Sequence, residues 1–296
     1  MSTSAPVMPR LSGQQAGIGL MCLAMLIFAF QDTLSKYLVA QYDVFMVTAI
    51  RYWFMALFAT ALAARHMGGL RATIRTRYPV QQIARGLLLA TQICIMVTSF
   101  VLLGLIETHA IFAACPLLIA ALARPFLGEH VSRRSWIAIA VGFFGVLIIL
   151  KPGFGVFSVV SLIAVAGCFV FAGYSLLTRF VAGADQAATS FFWTGVVGMI
   201  ALTPLGLWNW EPMATTDYAV MAVLCVASGA GHFTLIRAYT LAEANIVQPF
   251  SYLQLVFATV LAVIFFGEAV ELNVAIGAVL VVGAGLFTLL SQRNAA

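Results

Sequence analysis

The chain divides into ten apolar stretches separated by short polar breaks, and that pattern limits its fold more than any other feature. A helix needs about 20 apolar residues to cross the hydrocarbon of a bilayer. Charge, Gly and Pro place the stretches at Gln14–Leu38, Val44–Ala64, Val80–Leu103, Thr108–Leu127, Ser135–Leu150, Ser158–Phe180, Ala188–Trp208, Asp217–Tyr239, Asn245–Phe266 and Leu272–Ser291. Each is apolar on every face. A membrane β-barrel would alternate apolar and polar residues, so strands fit the pattern poorly. Only 8% of residues are charged and 63% are hydrophobic. A soluble domain carries about 25% charged residues to cover its surface. An ordinary cytosolic enzyme, a nucleic-acid binder and a disordered chain are therefore excluded. The expected fold is an all-α integral membrane protein with ten transmembrane helices.

The net charge of +5 is explained by where the charges fall. Cytoplasmic loops carry an excess of Lys and Arg. With the N-terminus inside, the inner side holds Arg10, Arg65, Arg71, Arg75, Arg77, Arg85, Arg124, Arg133, Arg134, Arg179, Arg237 and Arg293. The outer side holds Lys36, Arg51 and Lys151. Both termini are then cytoplasmic. The first apolar run exceeds signal-peptide length and reads as an uncleaved span. The five cysteines lie within apolar runs without CxxC spacing, which argues against a disulfide framework or a metal site.

The sequence repeats itself. Gly128-Glu129 follows the fourth stretch and Gly267-Glu268 the ninth; Glu107 precedes the fourth and Glu243 the ninth; Lys36-Tyr37 ends the first and Arg179-Phe180 the sixth. The spacing expects a tail at 1–13, a five-helix unit at 14–150 and a second unit at 158–291. An odd number of spans per unit inverts the second relative to the first. Such 5+5 inverted repeats are a common plan of secondary transporters. Small residues such as Gly142, Gly145, Gly277 and Gly283 would let helices pack closely.

Several short motifs, taken in order, resemble the drug/metabolite transporter superfamily in its ten-helix EamA-type branch. They are Asp32-x-x-x-Lys36, Arg51, the tract Arg237-Ala238-Tyr239-x-Leu241-Ala242-x-Ala244 with Pro249, and the two Gly-Glu pairs. The resemblance covers about residues 14–291. It implies an inverted repeat around a central cavity and transport of small metabolites, often export of amino acids, including aromatic ones. Other members carry riboflavin, purines, sugars or cationic drugs.

Polar groups are costly in hydrocarbon, so those inside the spans are the candidate site. In the ninth stretch these are Gln248, Ser251, Tyr252 and Gln254; Asn245, Gln248 and Tyr252 share one helix face, and Pro249 can free a backbone carbonyl. Gln92 and His232 lie near mid-span, and Tyr174 neighbours other polar residues. Interhelical hydrogen bonding would place the same residue types equally well. Tyr52, Trp53, Phe191, Phe192 and Trp193 are further wall candidates, and His109 reads more simply as a satisfied histidine. Asp32 and Lys36 stand four apart and can pair. With Arg51 they form either a structural ion cluster at the outer mouth, or an outer gate or anchor for a substrate carboxylate, and Asp32 is the candidate for proton coupling.

No P-loop, HExxH or paired-carboxylate motif is present, so neither ATP-driven pumping nor hydrolase chemistry is expected, and no cofactor or metal. The expected function is a secondary transporter exporting amino acids from the bacterial inner membrane by alternating access. The expected partners are a small solute, the lipid bilayer and protons, with no nucleic acid, in a monomer or weak homodimer. A transporter of another solute is the alternative. A non-transporting sensor or scaffold is the reading from a different class, and the short tails argue against it.

Overall fold

The computed structural model describes residues 13–65, 69–127, 133–150, 159–242 and 247–293, all of whose regular elements are helical. They are α1 (Gly13–Val39), α2 (Val44–Arg65), α3 (Gly69–Ile74), α4 (Pro79–Leu103), α5 (Leu105–Phe112), α6 (Cys115–Leu127), α7 (Arg133–Leu150), α8 (Val159–Ala182), α9 (Ala187–Trp208) and α10 (Thr215–Leu241). A 3₁₀ segment (Gln248–Tyr252), α11 (Leu253–Phe266) and α12 (Leu272–Arg293) complete the chain. Six of these helices (α1, α2, α4, α8, α9 and α10) are long and apolar enough to cross a membrane. Shorter apolar helices occupy Leu105–Ile119, Trp136–Ile149, Phe250–Phe266 and Leu272–Ala284. Large apolar side chains such as Leu57, Ile200 and Val279 face outward. Such a surface is stable against lipid but would associate in water.

Helix ends follow local chemistry. Asp43 starts α2 by accepting the amides of Phe45 and Met46 at 2.8 and 3.2 Å. Pro79 sits in the first turn of α4, where its missing N–H costs nothing. The expected boundary between the third and fourth spans is narrower in the structure. Gly104 alone joins α4 to α5, at φ +90°, a backbone conformation open to glycine. The fourth span is also not the single helix expected. It is interrupted between Phe112 and Cys115, because Pro116 has no N–H to offer the Phe112 carbonyl. The ninth span is likewise irregular, opening as a 3₁₀ segment around Pro249 before α11 begins. Gly267 ends α11 in the left-handed region at φ +63°, and the Glu268 amide reaches back to the Ala262 carbonyl at 3.3 Å. The short helix α3 lies where a plain basic loop was expected.

Packing is pairwise. α1 packs mainly on α10, α4 on α8, α2 on α9 and α7 on α12. Small residues permit the closest crossing: at Gly145 and Gly277 an added Cβ would stand 2.8 and 2.5 Å from the other helix's backbone carbonyl. The main core gathers side chains from both halves of the sequence, including Tyr52, Leu89, Phe100, Phe191 and Ala262.

Candidate functional site

α1, α2, α4, α5, α8, α10, the start of α6 and the segment from Ser251 to Leu255 surround a cavity. It encloses about 860 Å³ not filled by protein atoms, its open mouth included. Its wall is mostly apolar, with the thioethers of Met21, Met25 and Met96 and the rings of Phe28, Phe100, Phe112 and Phe171. A pocket of this kind, mostly apolar with a few convergent polar groups, suits a small organic ligand.

The polar groups converge on Asp32. Its Oδ2 accepts the Gln254 amide at 2.9 Å, and His109 Nε2 approaches the same oxygen at 3.3 Å without an aligned hydrogen bond. Gln31 donates to the other oxygen at 3.4 Å. The same Gln31 accepts from Arg51 at 3.3 Å, so its amide links carboxylate and guanidinium, which do not pair directly. Arg51 is buried at 2% exposure, and its remaining bonds go to neutral hydroxyls: Ser35 at 3.3 Å and Ser228 at 3.1 Å. The site thus holds one negative and one positive group, separated and solvated by amides and hydroxyls. Two further wall residues have polar atoms that find no partner: both ring nitrogens of His232 and the Tyr252 hydroxyl. His232 leans its ring on Phe28, with centroids 5.0 Å apart.

One turn beyond Asp32, Lys36 closes that end of the site. Lys36 binds Glu268, not Asp32, which corrects the local pairing expected from the sequence. Glu268 also accepts the first two amides of α5, Leu105 and Ile106, at 3.0 Å each. A helix N-terminus offers unsatisfied N–H groups and partial positive charge, so a carboxylate is well placed there. Burial pushes the Glu268 carboxyl up. The Ile106 and Leu105 amides and the Lys36 ammonium outweigh that and hold it below its ordinary value.

Gln92, His232, Ser251, Tyr252, Gln254, Asp32 and Arg51 all line the cavity. The side chain of Gln248 lies outside the described residues. Tyr174 does not line the cavity: its ring packs on Phe171, a wall residue, and so stands one layer behind. Tyr52, Trp53, Phe191, Phe192 and Trp193 are also absent from the wall. Two residues at Asp32 go beyond the expected set: Gln31, and His109, whose place in the sequence reads as that of a satisfied histidine. Arg85, assigned to the inner side by the charge count, is wholly buried. Arg85 donates to Gln82, Thr178, Thr194 and the Ser190 carbonyl, while Gln82 reaches Asp185 at 2.8 Å. The signal was available, since Arg85 falls inside the third apolar stretch.

The EamA-like transporter family matches this chain twice, at residues 15–151 and 158–290. The S-adenosylmethionine uptake transporter of Rickettsia felis is 25% identical over 279 residues, 94% of each chain. The riboflavin transporter of Rhizobium johnstonii is 29% identical over 281 residues, 93% of this chain and 91% of that one. A solved crystal structure superposes with a TM-score of 0.70 at 18% identity, covering 95% of this chain and 99% of the other.

Proposed function

The chain belongs to the EamA-like transporter family, a multi-pass membrane protein that carries a small molecule, and from that premise we propose that its substrate is zwitterionic. The observation that carries this reading is the pair of opposite charges on the cavity wall, Asp32 and Arg51, held apart and bound only to neutral groups and His109. An amino group belongs on Asp32 and a carboxylate on Arg51. A planar ring belongs among Phe28, Phe100, Phe112 and Phe171, where aromatic faces and edges pair favourably. His232 and Tyr252 supply the hydrogen bonds they now lack. An amino-acid head with a ring meets all these demands. Aromatic amino acids have this form, as does S-adenosylmethionine, the solute named for one relative. Riboflavin, named for another, has the ring but no ionic head.

The carrier works by alternating access between two inverted five-span units, with both termini cytoplasmic in a bacterial inner membrane. Two observations support this architecture. The two family matches begin 143 residues apart. The packing also obeys the exchange: swapping the units converts the α1–α10 pair into α8–α4 and leaves α2–α9 and α7–α12 as themselves.

Proteoliposomes loaded from either side with phenylalanine, S-adenosylmethionine or riboflavin test the substrate reading and the direction of export together. Saturable flux of one zwitterion, lost in Asp32→Asn, is expected. Flux of riboflavin alone, or flux indifferent to Asp32→Asn in a folded protein, would refute it.

A further inference from the structure

The cavity wall is paired across the sequence. A step of 143 residues, which takes the end of α1 to the end of α8 and the start of α2 to the start of α9, takes Phe28 to Phe171; the starts of α4 and α10 lie 136 apart, which takes Met96 to His232. Both members of each pair line the cavity. On α1 and α2 the pairing stops there. Met25, Gln31, Asp32 and Arg51 line the cavity, whereas the residues 143 positions on, Cys168, Tyr174, Ser175 and Thr194, are buried away from it.

The buried strip carries a related cluster. Arg51 bonds Gln31, Ser35 and Ser228. The counterparts of Arg51, Gln31 and Ser35 are Thr194, Tyr174 and Thr178. They too meet: Arg85 donates to Thr194 at 2.7 Å and Thr178 at 3.3 Å, and lies 5.5 Å from the Tyr174 ring centroid. Each cluster holds one arginine, Arg51 of α2 in one and Arg85 of α4 in the other. The closed cluster also holds two polar atoms with no hydrogen-bond partner, the Tyr174 hydroxyl and the adjacent Ser175 Oγ. Leaving a buried hydroxyl unmatched is costly. Their counterparts, Gln31 and Asp32, are the residues that face the cavity.

We propose that Arg85, Tyr174, Ser175 and Thr194 form a second half-site, shut in this state and open to the cavity in the opposite-facing one. There the Arg85 guanidinium takes the carboxylate of the zwitterion, and the Tyr174 and Ser175 hydroxyls bond its polar head. Arg51 and Arg85 then serve the same end of the substrate in alternate states. This rests on the alternating-access reading above.

Native Cys168 reports the strip without any substitution, and a Met25→Cys variant reports its open counterpart. The full-length protein in proteoliposomes is treated with a membrane-impermeant methanethiosulfonate from each side in turn, and modified peptides are read by mass spectrometry. Flux is measured on the same vesicles. Cys168 is expected to react from the side opposite to Met25→Cys, and a substrate gradient should move the two rates in opposite directions. Tyr174→Phe, which removes one hydroxyl and keeps the packing, is expected to raise KM about tenfold at similar protein yield. Vesicles that transport while Cys168 stays unreactive from both sides, or reacts from the same side as Met25→Cys, overturn the half-site and leave the transporter reading standing. Vesicles that carry none of the solutes overturn both.

Discussion

Glu268 holds three parts of the molecule at one point, so its removal has a calculable effect. Its carboxylate accepts two amides at the start of α5 and the Lys36 ammonium on α1. Hydrogen bonds to a charged group contribute about 1.5–3 kcal/mol each. Glu268→Gln keeps one carbonyl oxygen, so one amide stays satisfied at neutral strength; the other faces an NH₂ and Lys36 loses its counterion. The side chains of Lys36 and Glu268 retain 16% and 17% exposure, and water recovers part of the loss. The net cost is on the order of 2 kcal/mol. Thermal unfolding in detergent at pH 7 should show the variant less stable by that amount. The sign with pH follows from the lowered carboxyl. Its stabilisation is complete above the ordinary value of about 4.3 and is lost as pH falls through the still lower folded value. The gap between wild type and Glu268→Gln should therefore close in acid. An unchanged midpoint at pH 7, or a gap that persists once the carboxylate is protonated, would refute the reasoning.

Two further outcomes follow from single positions. Gly104→Ala forces a side chain into φ +90° and sets its Cβ 3.0 Å from a Glu268 oxygen; it should cost about 1–3 kcal/mol and be less than additive with Glu268→Gln in a double-mutant cycle. His232→Phe replaces two unpartnered buried nitrogens with apolar atoms of similar shape. It should raise the unfolding temperature of the substrate-free protein while weakening substrate binding, measured by thermal shift with and without substrate.

The helices were legible in the sequence because the length of an apolar run and the position of Gly or Pro are local facts. The breaks at Gly104 and Gly267 followed from them. The gap at 113–114 was missed because Pro116 lies inside a run that stays apolar on both sides. Pairing was harder. Spacing along a helix puts Asp32 and Lys36 on one face, but it does not say what that face meets. Each found a better partner one turn apart across the bundle, Gln254 and His109 for Asp32 and Glu268 for Lys36. The burial of Arg85 is not visible in a count of basic residues by side, because such a count ignores depth. The cavity residues of α1, α4, α10 and the ninth stretch were found because a polar side chain within a span is conspicuous. Tyr174 shows where that signal ends, since depth in the span does not fix which layer of the wall a ring occupies.

The separation of Asp32 from Arg51 also bears on how the carrier responds to voltage. Fixed charges of opposite sign balance one another, so the empty cavity contributes little net charge when it changes its exposure. In a cycle that moves no coupling ion, the electrical work is then set by the passenger. A neutral zwitterion should cross at a rate nearly independent of membrane potential. A solute with one extra positive charge would feel about 2.3 kcal/mol per 100 mV. Among substrates that fill the same wall, the bilayer's own field would thus favour inward movement of the cationic ones and leave the neutral ones to their concentration gradients.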